Sequence, residues 1–193
     1  MGDSTVVFVP GLRDHVPDHW QTLLQARLPG SLCVPRLGKS VLSCDAWVEA
    51  IDRTIASAPG PVVLVGHSAG VIMTAHWALR HRRAVRGALL ATPPDLAREL
   101  PAGYPDVVTL AQNGWMPIPL EPLPFESIVV ASTNDPLCAF ERAADLAWRW
   151  QAQLVSAGAA GHLNPASGFG EWAQAAELLR AFGVAVPAQA AAA

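Results

Sequence analysis

Apolar runs punctuated by glycine and proline recur at a steady interval along this chain. Val6-Val7-Phe8-Val9 is continuous and stopped by Pro10-Gly11, the pattern of a strand buried on both faces. Asp18 is placed to cap a helix, with Gln21 as its capping-box partner. That helix is predicted to run to about Leu28, before Pro29-Gly30. Leu32-Cys33-Val34 reads as a second strand. Ser43 opens a helix whose apolar positions Val48, Ile51, Ile55 and Ala58 have helical spacing, and Pro59-Gly60-Pro61 stops it. Val62-Val63-Leu64-Val65 is the clearest buried strand. A helix carrying Val71, Ile72, Ala75, Ala78 and Leu79 follows, and Val85 to Ala91 reads as the next strand.

Residues 93–126 break this rhythm. The segment is proline-rich and holds Tyr104, Trp115, Met116 and Phe125. A long irregular segment inside a compact domain is usually functional or disordered. The alternation then resumes with a strand Ile128 to Ala131, a helix from about Phe140 to Trp150, and a short strand near Leu154-Val155. The last helix presents Trp172, Ala175, Ala176, Leu179 and Phe182 on one face and ends at Gly183. Alternating strands and helices imply an α/β architecture. Right-handed crossovers make it doubly wound, a mostly parallel sheet of about six strands with helices on both faces. Ligand sites in such sheets lie at the C-terminal ends of the strands. No internal repeat or second domain is visible, so residues 1–185 read as one domain and 186–193 as an alanine-rich, disordered tail.

Composition agrees with a packed domain. Of 193 residues, 51% are hydrophobic and 15% charged, which favours a core over disorder. The net charge of −3 and the lack of a concentrated basic patch exclude a nucleic-acid binder. The short cluster Arg80-His81-Arg82-Arg83 is expected to complement a helix C-terminus. The three cysteines, Cys33, Cys44 and Cys138, form no CxxC pair and are odd in number, which points to a reducing, cytoplasmic setting. Cys138 is expected to be a buried structural thiol. No signal peptide and no membrane span are visible in the sequence. Neither a metal-ligand cluster nor a nucleotide-binding glycine loop is present, so no metal or cofactor is expected.

The candidate chemistry centres on Gly66-His67-Ser68-Ala69-Gly70, a G-x-S-x-G match between the strongest strand and a helix. Flanking glycines permit a sharp strand-to-helix turn that exposes a strained serine at the top of a sheet. In α/β hydrolases an acid and then a histidine follow the serine along the chain. His162, in the glycine-rich stretch Gly158 to Asn164, is the histidine beyond a later strand. His76 and His81 lie on the helix after Ser68, His67 is inside the turn, and His15 and His19 precede it. Asp135 follows the strand ending at Ala131 and precedes Pro136, which favours extended geometry for a projected carboxylate. Asp95, one strand earlier, is the second choice of acid. These residues predict attack by Ser68, with His162 as base and Asp135 orienting it. The oxyanion donors are expected to be the backbone N–H groups of Ala69 and Leu12. His19, Trp20, Trp115, Met116 and Phe125 either line an apolar substrate pocket or pack the core.

Six stretches carry a resemblance to a known family: Val9-Pro10-Gly11, Asp18-His19-Trp20, Val65 to Gly70, Pro122-Leu123-Pro124-Phe125, Ser132-Thr133-Asn134-Asp135-Pro136 and Gly161-His162-Leu163-Asn164. In this order, over about 180 residues, they resemble the small α/β hydrolases grouped with retinoblastoma-binding protein 9, especially the bacterial members. The resemblance implies a compact α/β-hydrolase fold without the first antiparallel strands or a large lid domain, and a triad of Ser68, Asp135 and His162. The family's animal member binds the retinoblastoma protein through Leu-x-Cys-x-Glu. Here Leu42-Ser43-Cys44-Asp45-Ala46 has alanine where glutamate is needed, so that partner is not carried over. The expected partner is a small-molecule acyl substrate, cleaved as an ester, amide or thioester. An acyltransferase and a non-catalytic binding module on the same fold are the alternatives.

Overall fold

The computed structural model describes residues 4–12, 16–35, 37–38 and 42–187. In chain order the elements are β1 (Thr5–Val9), α1 (Trp20–Ala26), β2 (Leu32–Cys33), α2 (Cys44–Ala56), β3 (Val62–His67), α3 (Ala69–Arg80), β4 (Val85–Ala91), α4 (Val107–Gln112), β5 (Glu126–Ala131), α5 (Phe140–Arg149), β6 (Gln153–Ser156) and α6 (Ala173–Arg180), with a 3-10 turn at Pro165–Ser167 before α6. The six strands form one sheet in the order β2-β1-β3-β4-β5-β6. Every pairing is parallel. The expected doubly wound α/β sheet is therefore present, and the winding direction reverses between β1 and β3. Crevices form at such reversal points, outside the carboxyl ends of the strands.

The strand period of two divides the core into two layers. Val62 and Leu64 of β3 face α2, α3 and α5, whose Trp47, Ile51, Trp77 and Trp150 fill that side. Val63 and Val65 face α1 and α6, with Trp20, Leu24, Ala175 and Leu179. Each fully buried large side chain contributes about 1.5–3 kcal/mol. The predicted apolar face of α6 is the buried one. Val186 belongs to the same layer, and the Pro187 carbonyl accepts a bond from Arg27 at 2.7 Å. The rest of the alanine-rich end, 188–193, lies outside the described residues, as does His15.

Ser43 caps α2 as expected, its hydroxyl accepting from Ala46 N–H at 3.3 Å. Asp18 does not cap α1. His19 stands at the N-cap in extended geometry and its Nδ1 accepts from Gln21 N–H at 3.2 Å, so the helix starts one residue later than predicted and ends at Ala26. In the basic cluster at the end of α3, Arg82 donates to the carbonyls of Ala78 at 2.5 Å and His81 at 2.9 Å, complementing the helix C-terminus as expected, and its arginine neighbours turn toward α2. Arg80 pairs with Asp45, and Arg83 grips Asp52 through Nε at 2.6 Å and through its second guanidinium nitrogen at 2.5 Å. Trp77 Nε1–H also donates to Asp52, at 3.2 Å.

The irregular segment 93–126 is packed over the α2–α3 layer. It contains α4, and Leu110, Trp115 and Ile118 are buried there. Trp115 Nε1–H donates to Leu42 O at 2.6 Å, His76 Nε2–H donates to Trp115 O at 3.2 Å, and Trp150 Nε1–H donates to Pro119 O at 2.8 Å. Among the described residues no helix is long and apolar enough to cross a membrane.

Candidate active site

Ser68 sits where β3 becomes α3, with φ 56° and ψ −129°. A non-glycine residue in this region is strained and persists only where the surroundings hold it. Ser68 N–H donates to Ala91 O at 3.0 Å and Val71 N–H to Ser68 O at 2.9 Å, so the turn is held on both sides. Gly70 is required by close approach, since a Cβ there would stand 2.2 Å from Val9 O. The tight contact seats the first turn of α3 under the end of β1 and brings Gly11 and Leu12 beside Ser68.

His162 Nε2 lies 2.8 Å from Ser68 Oγ. On the other side of the ring, Nδ1 lies 2.9 Å from Asp135 Oδ2 and 3.0 Å from Oδ1. A carboxylate can only accept, so Nδ1 carries a hydrogen and Nε2 is free to accept the serine proton. The His162 and Asp135 side chains are 4% and 2% exposed, which strengthens these bonds by excluding water. Asp95, the alternative acid, takes no part. It pairs with Arg142 at 3.4 Å and accepts from Ala97 N–H.

The loops after β5 and β6 are tied to each other by their main chains. Thr133 N–H donates to Gly158 O at 2.8 Å. Ser132 Oγ accepts from Ala160 N–H at 3.0 Å. Asn134 Oδ1 accepts from Gly161 N–H at 2.7 Å and from Ser132 Oγ at 2.9 Å. Leu137 N–H fixes Asp135 Oδ1 at 2.8 Å. Gly161 takes φ +59°, and any side chain there would collide with Ser167, whose Oγ accepts from His162 N–H at 3.1 Å. Ser132 and Asn134 belong to a stretch that carries the family resemblance, but neither they nor Ser167 had a role assigned from the sequence. Their signal is local, small polar residues flanking an acid and a histidine, and it has meaning only once the two loops are known to touch.

Ser68 opens into a cavity of about 160 Å³. The backbone turns at Gly11, Leu12 and Ala69 line it beside the serine, and Leu96, Leu100, Leu110, Leu137 and Pro94 form an apolar wall. Of the aromatic candidates, His19 and Trp115 line the cavity. Trp20 and Met116 do not. His19 stands at the N-cap in extended geometry and Trp20 is the first residue of α1, so the two side chains leave the backbone in different directions. Trp20 turns into the opposite layer and meets Trp172 edge-on, ring centroids 4.8 Å apart. Met116 packs partly buried against the α2–α3 layer, and Phe125 lies over Trp77 at 6.4 Å. The leucines of the cavity wall come from the aperiodic segment 93–112 and from Leu137, where no pattern marked them. Cys138 is buried as expected, and burial pushes its thiol up to about 12.

Comparison with known proteins extends these observations. The serine hydrolase family model matches residues 6–181. A structure described as that of a YdeN-like hydrolase from Pectobacterium atrosepticum is 30% identical, covers 96% of this chain and 94% of its own, and superposes with a TM-score of 0.81. The ydeN gene product of B. subtilis is 19% identical, with 93% and 98% covered and a TM-score of 0.72. Est1E of Butyrivibrio proteoclasticus, solved with bound ferulic acid, is 13% identical, with 83% and 82% covered and a TM-score of 0.65. At these lower identities the likeness shows the α/β-hydrolase fold alone. No match is found among curated proteins. Since the family model spans nearly the whole sheet and every strand that borders Ser68, the chain belongs to the serine hydrolase family.

Proposed function

We propose that the protein hydrolyses a small carboxylic ester through an acyl-enzyme on Ser68, with His162 as general base and acid and Asp135 orienting it. The continuous hydrogen-bonded chain from Ser68 Oγ through His162 to Asp135, at the mouth of an apolar cavity, carries this reading. His162 Nε2 takes the hydroxyl proton as Oγ bonds to the substrate carbonyl carbon, and the carbonyl electron pair moves onto oxygen. The N–H groups of Ala69 and Leu12 meet that oxyanion. Its collapse breaks the ester C–O bond, and the leaving alcohol takes the proton from His162. Water then repeats the sequence on the acyl-enzyme and releases the acid.

The cavity volume of about 160 Å³ is close to that of a void that accommodates a benzene-sized guest, which favours short acyl groups over long ones. The motifs from Val9-Pro10-Gly11 to Gly161-His162-Leu163-Asn164 support membership of the retinoblastoma-binding protein 9 group within the superfamily. The test is labelling of the native protein and of Ser68→Ala with a fluorescent fluorophosphonate at neutral and acidic pH. Labelling of the native chain alone, weaker in acid, is expected, followed by faster hydrolysis of acetyl and butyryl than of decanoyl p-nitrophenyl esters. A folded native protein that does not label refutes the role of Ser68, and faster cleavage of the long ester refutes the size limit.

A further inference from the structure

His67 occupies the variable position of the G-x-S-x-G stretch. It closes β3, and the strand period places its ring on the face of Val63 and Val65, toward α1 and α6. The main chain of His162 crosses that same face, and the next residue, Leu163, is buried there. His67 Nε2 lies 2.9 Å from His162 O. A carbonyl can only accept, so this nitrogen must carry hydrogen.

Three imidazoles stand in a row. The rings of His19 and His67 are 4.5 Å apart and those of His67 and His162 are 5.0 Å apart. His19 Nδ1 accepts from the Gln21 N–H at 3.2 Å. Burial above all, with charge on the neighbouring His162 and His19 acting in the same direction, holds His67 well below the usual histidine range, so its ring is neutral. His162 is the ring hydrogen-bonded to Ser68 Oγ, at 2.8 Å.

His162 is also held at three points. Ser167 accepts its N–H, Asp135 its Nδ1–H, and His67 donates to its carbonyl. The third anchor is needed because Leu163, immediately after that carbonyl, has φ 48°, a strained conformation that does not persist without support. We propose that His67 is a positioning residue for the hydrolytic reaction, its Nε2–H clamping the His162 carbonyl so that the His162 ring stays in line between Asp135 and Ser68. The proposal rests on the reading of Ser68, His162 and Asp135 given above.

Two variants separate clamping from mere filling of space. His67→Met keeps the volume and loses the donor. His67→Gln carries an N–H donor to about the position of Nε2. Since a displacement of about 1 Å at reacting groups costs on the order of 100-fold in rate, His67→Met is expected to lower kcat for p-nitrophenyl butyrate by about 10- to 100-fold, with KM within about twofold. His67→Gln is expected to retain kcat within about threefold of native. Circular dichroism melting checks the fold of each. If the Met variant does not fold, His67→Asn, polar but too short to reach the carbonyl, replaces it with the same expected loss. A folded Met or Asn variant with native kcat overturns the proposal, as does a folded Gln variant that loses as much as Met. Fluorophosphonate labelling of the native protein runs alongside. Native labelling with an unchanged Met variant refutes the clamp alone, whereas no native labelling refutes the Ser68 assignment and the clamp with it.

Discussion

Gly70 lies so close beneath Val9 that a methyl group on its Cα would reach 2.2 Å from the Val9 carbonyl oxygen and 2.8 Å from that of Pro10. Both contacts are backbone, which has little room to give. Gly70→Ala therefore forces the end of β1, and the Pro10–Leu12 turn with it, away from Ser68. Overpacking of this kind costs about 1–3 kcal/mol, readable by urea unfolding. With Leu12 as an oxyanion donor, ester hydrolysis is expected to fall by on the order of 100-fold. A variant that unfolds earlier yet keeps native kcat would place the second donor elsewhere.

Asn134 bridges the acid and histidine loops through a single oxygen that accepts from Gly161 N–H and Ser132 Oγ. The residue is exposed, so water replaces part of what a substitution removes, and Asn134→Ala is expected to cost only about 0.5–1.5 kcal/mol of stability. The loss should appear mainly in kcat, because the loops set the Asp135–His162 geometry, with a smaller change in KM through Leu137, which lines the cavity from the same loop. Asn134→Asp retains the accepting oxygen and should recover most of the rate. Steady-state kinetics on the pair decides between a geometric role and a simple stability effect.

Asp52 contributes to stability at the acid end of the pH range. Its hydrogen bonds from Arg83, ahead of the opposing effect of burial, lower its carboxyl from 3.8 to about 2. A carboxyl depressed in the folded state adds stability above its unfolded pKa, and that contribution disappears as pH falls from about 3.8 through about 2. With the partly exposed Arg83 screened by solvent, the contribution is about 1–2 kcal/mol. Asp52→Asn is therefore expected to unfold at lower urea than native at pH 6, with the gap closing near pH 2. A gap that stays constant across that range would show that packing, not charge, is what Asp52 supplies.

The cysteines should differ in reactivity. Cys44 and Cys138 are buried, and desolvation pushes their thiols up to about 11 and about 12. Both access and thiolate are scarce for them at pH 8. Cys33 is half-buried. A disulfide reagent should titrate no more than one thiol promptly in the native protein and three in denaturant. Rapid reaction of a second native thiol would mean that the α2 layer or the Asp135 loop opens locally.

The parts of the molecule legible in the sequence are those with a periodic or a local signature. Val62 to Val65 could be read as a buried strand because β3 is covered on both faces, and Ser68 because its turn needs glycine at 66 and 70 in one short stretch. Asp135 and His162 followed from chain order and strand ends. The cavity wall had no such signature. Leu96, Leu100 and Leu110 belong to a segment without period, so nothing distinguished a wall from a plug until the chain was folded. Trp20 neighbours His19 in sequence, yet of the two roles open to it, it packs the core against Trp172 while His19 lines the cavity. His67 was hidden for a different reason. Its role depends on the carbonyl of a residue 95 positions away, and no local pattern contains that distance.

That same separation has a consequence for how the protein comes into being. Ser68, Asp135 and His162 leave the sheet after β3, β5 and β6, and β6 is an edge strand that can join only when β5 is in place. A ribosome that has delivered two thirds of the chain has delivered the serine but neither Asp135 nor His162. Reactivity at Ser68 would then switch on late and all at once, so a fluorophosphonate tag added during synthesis would count finished molecules and pass over the unfinished.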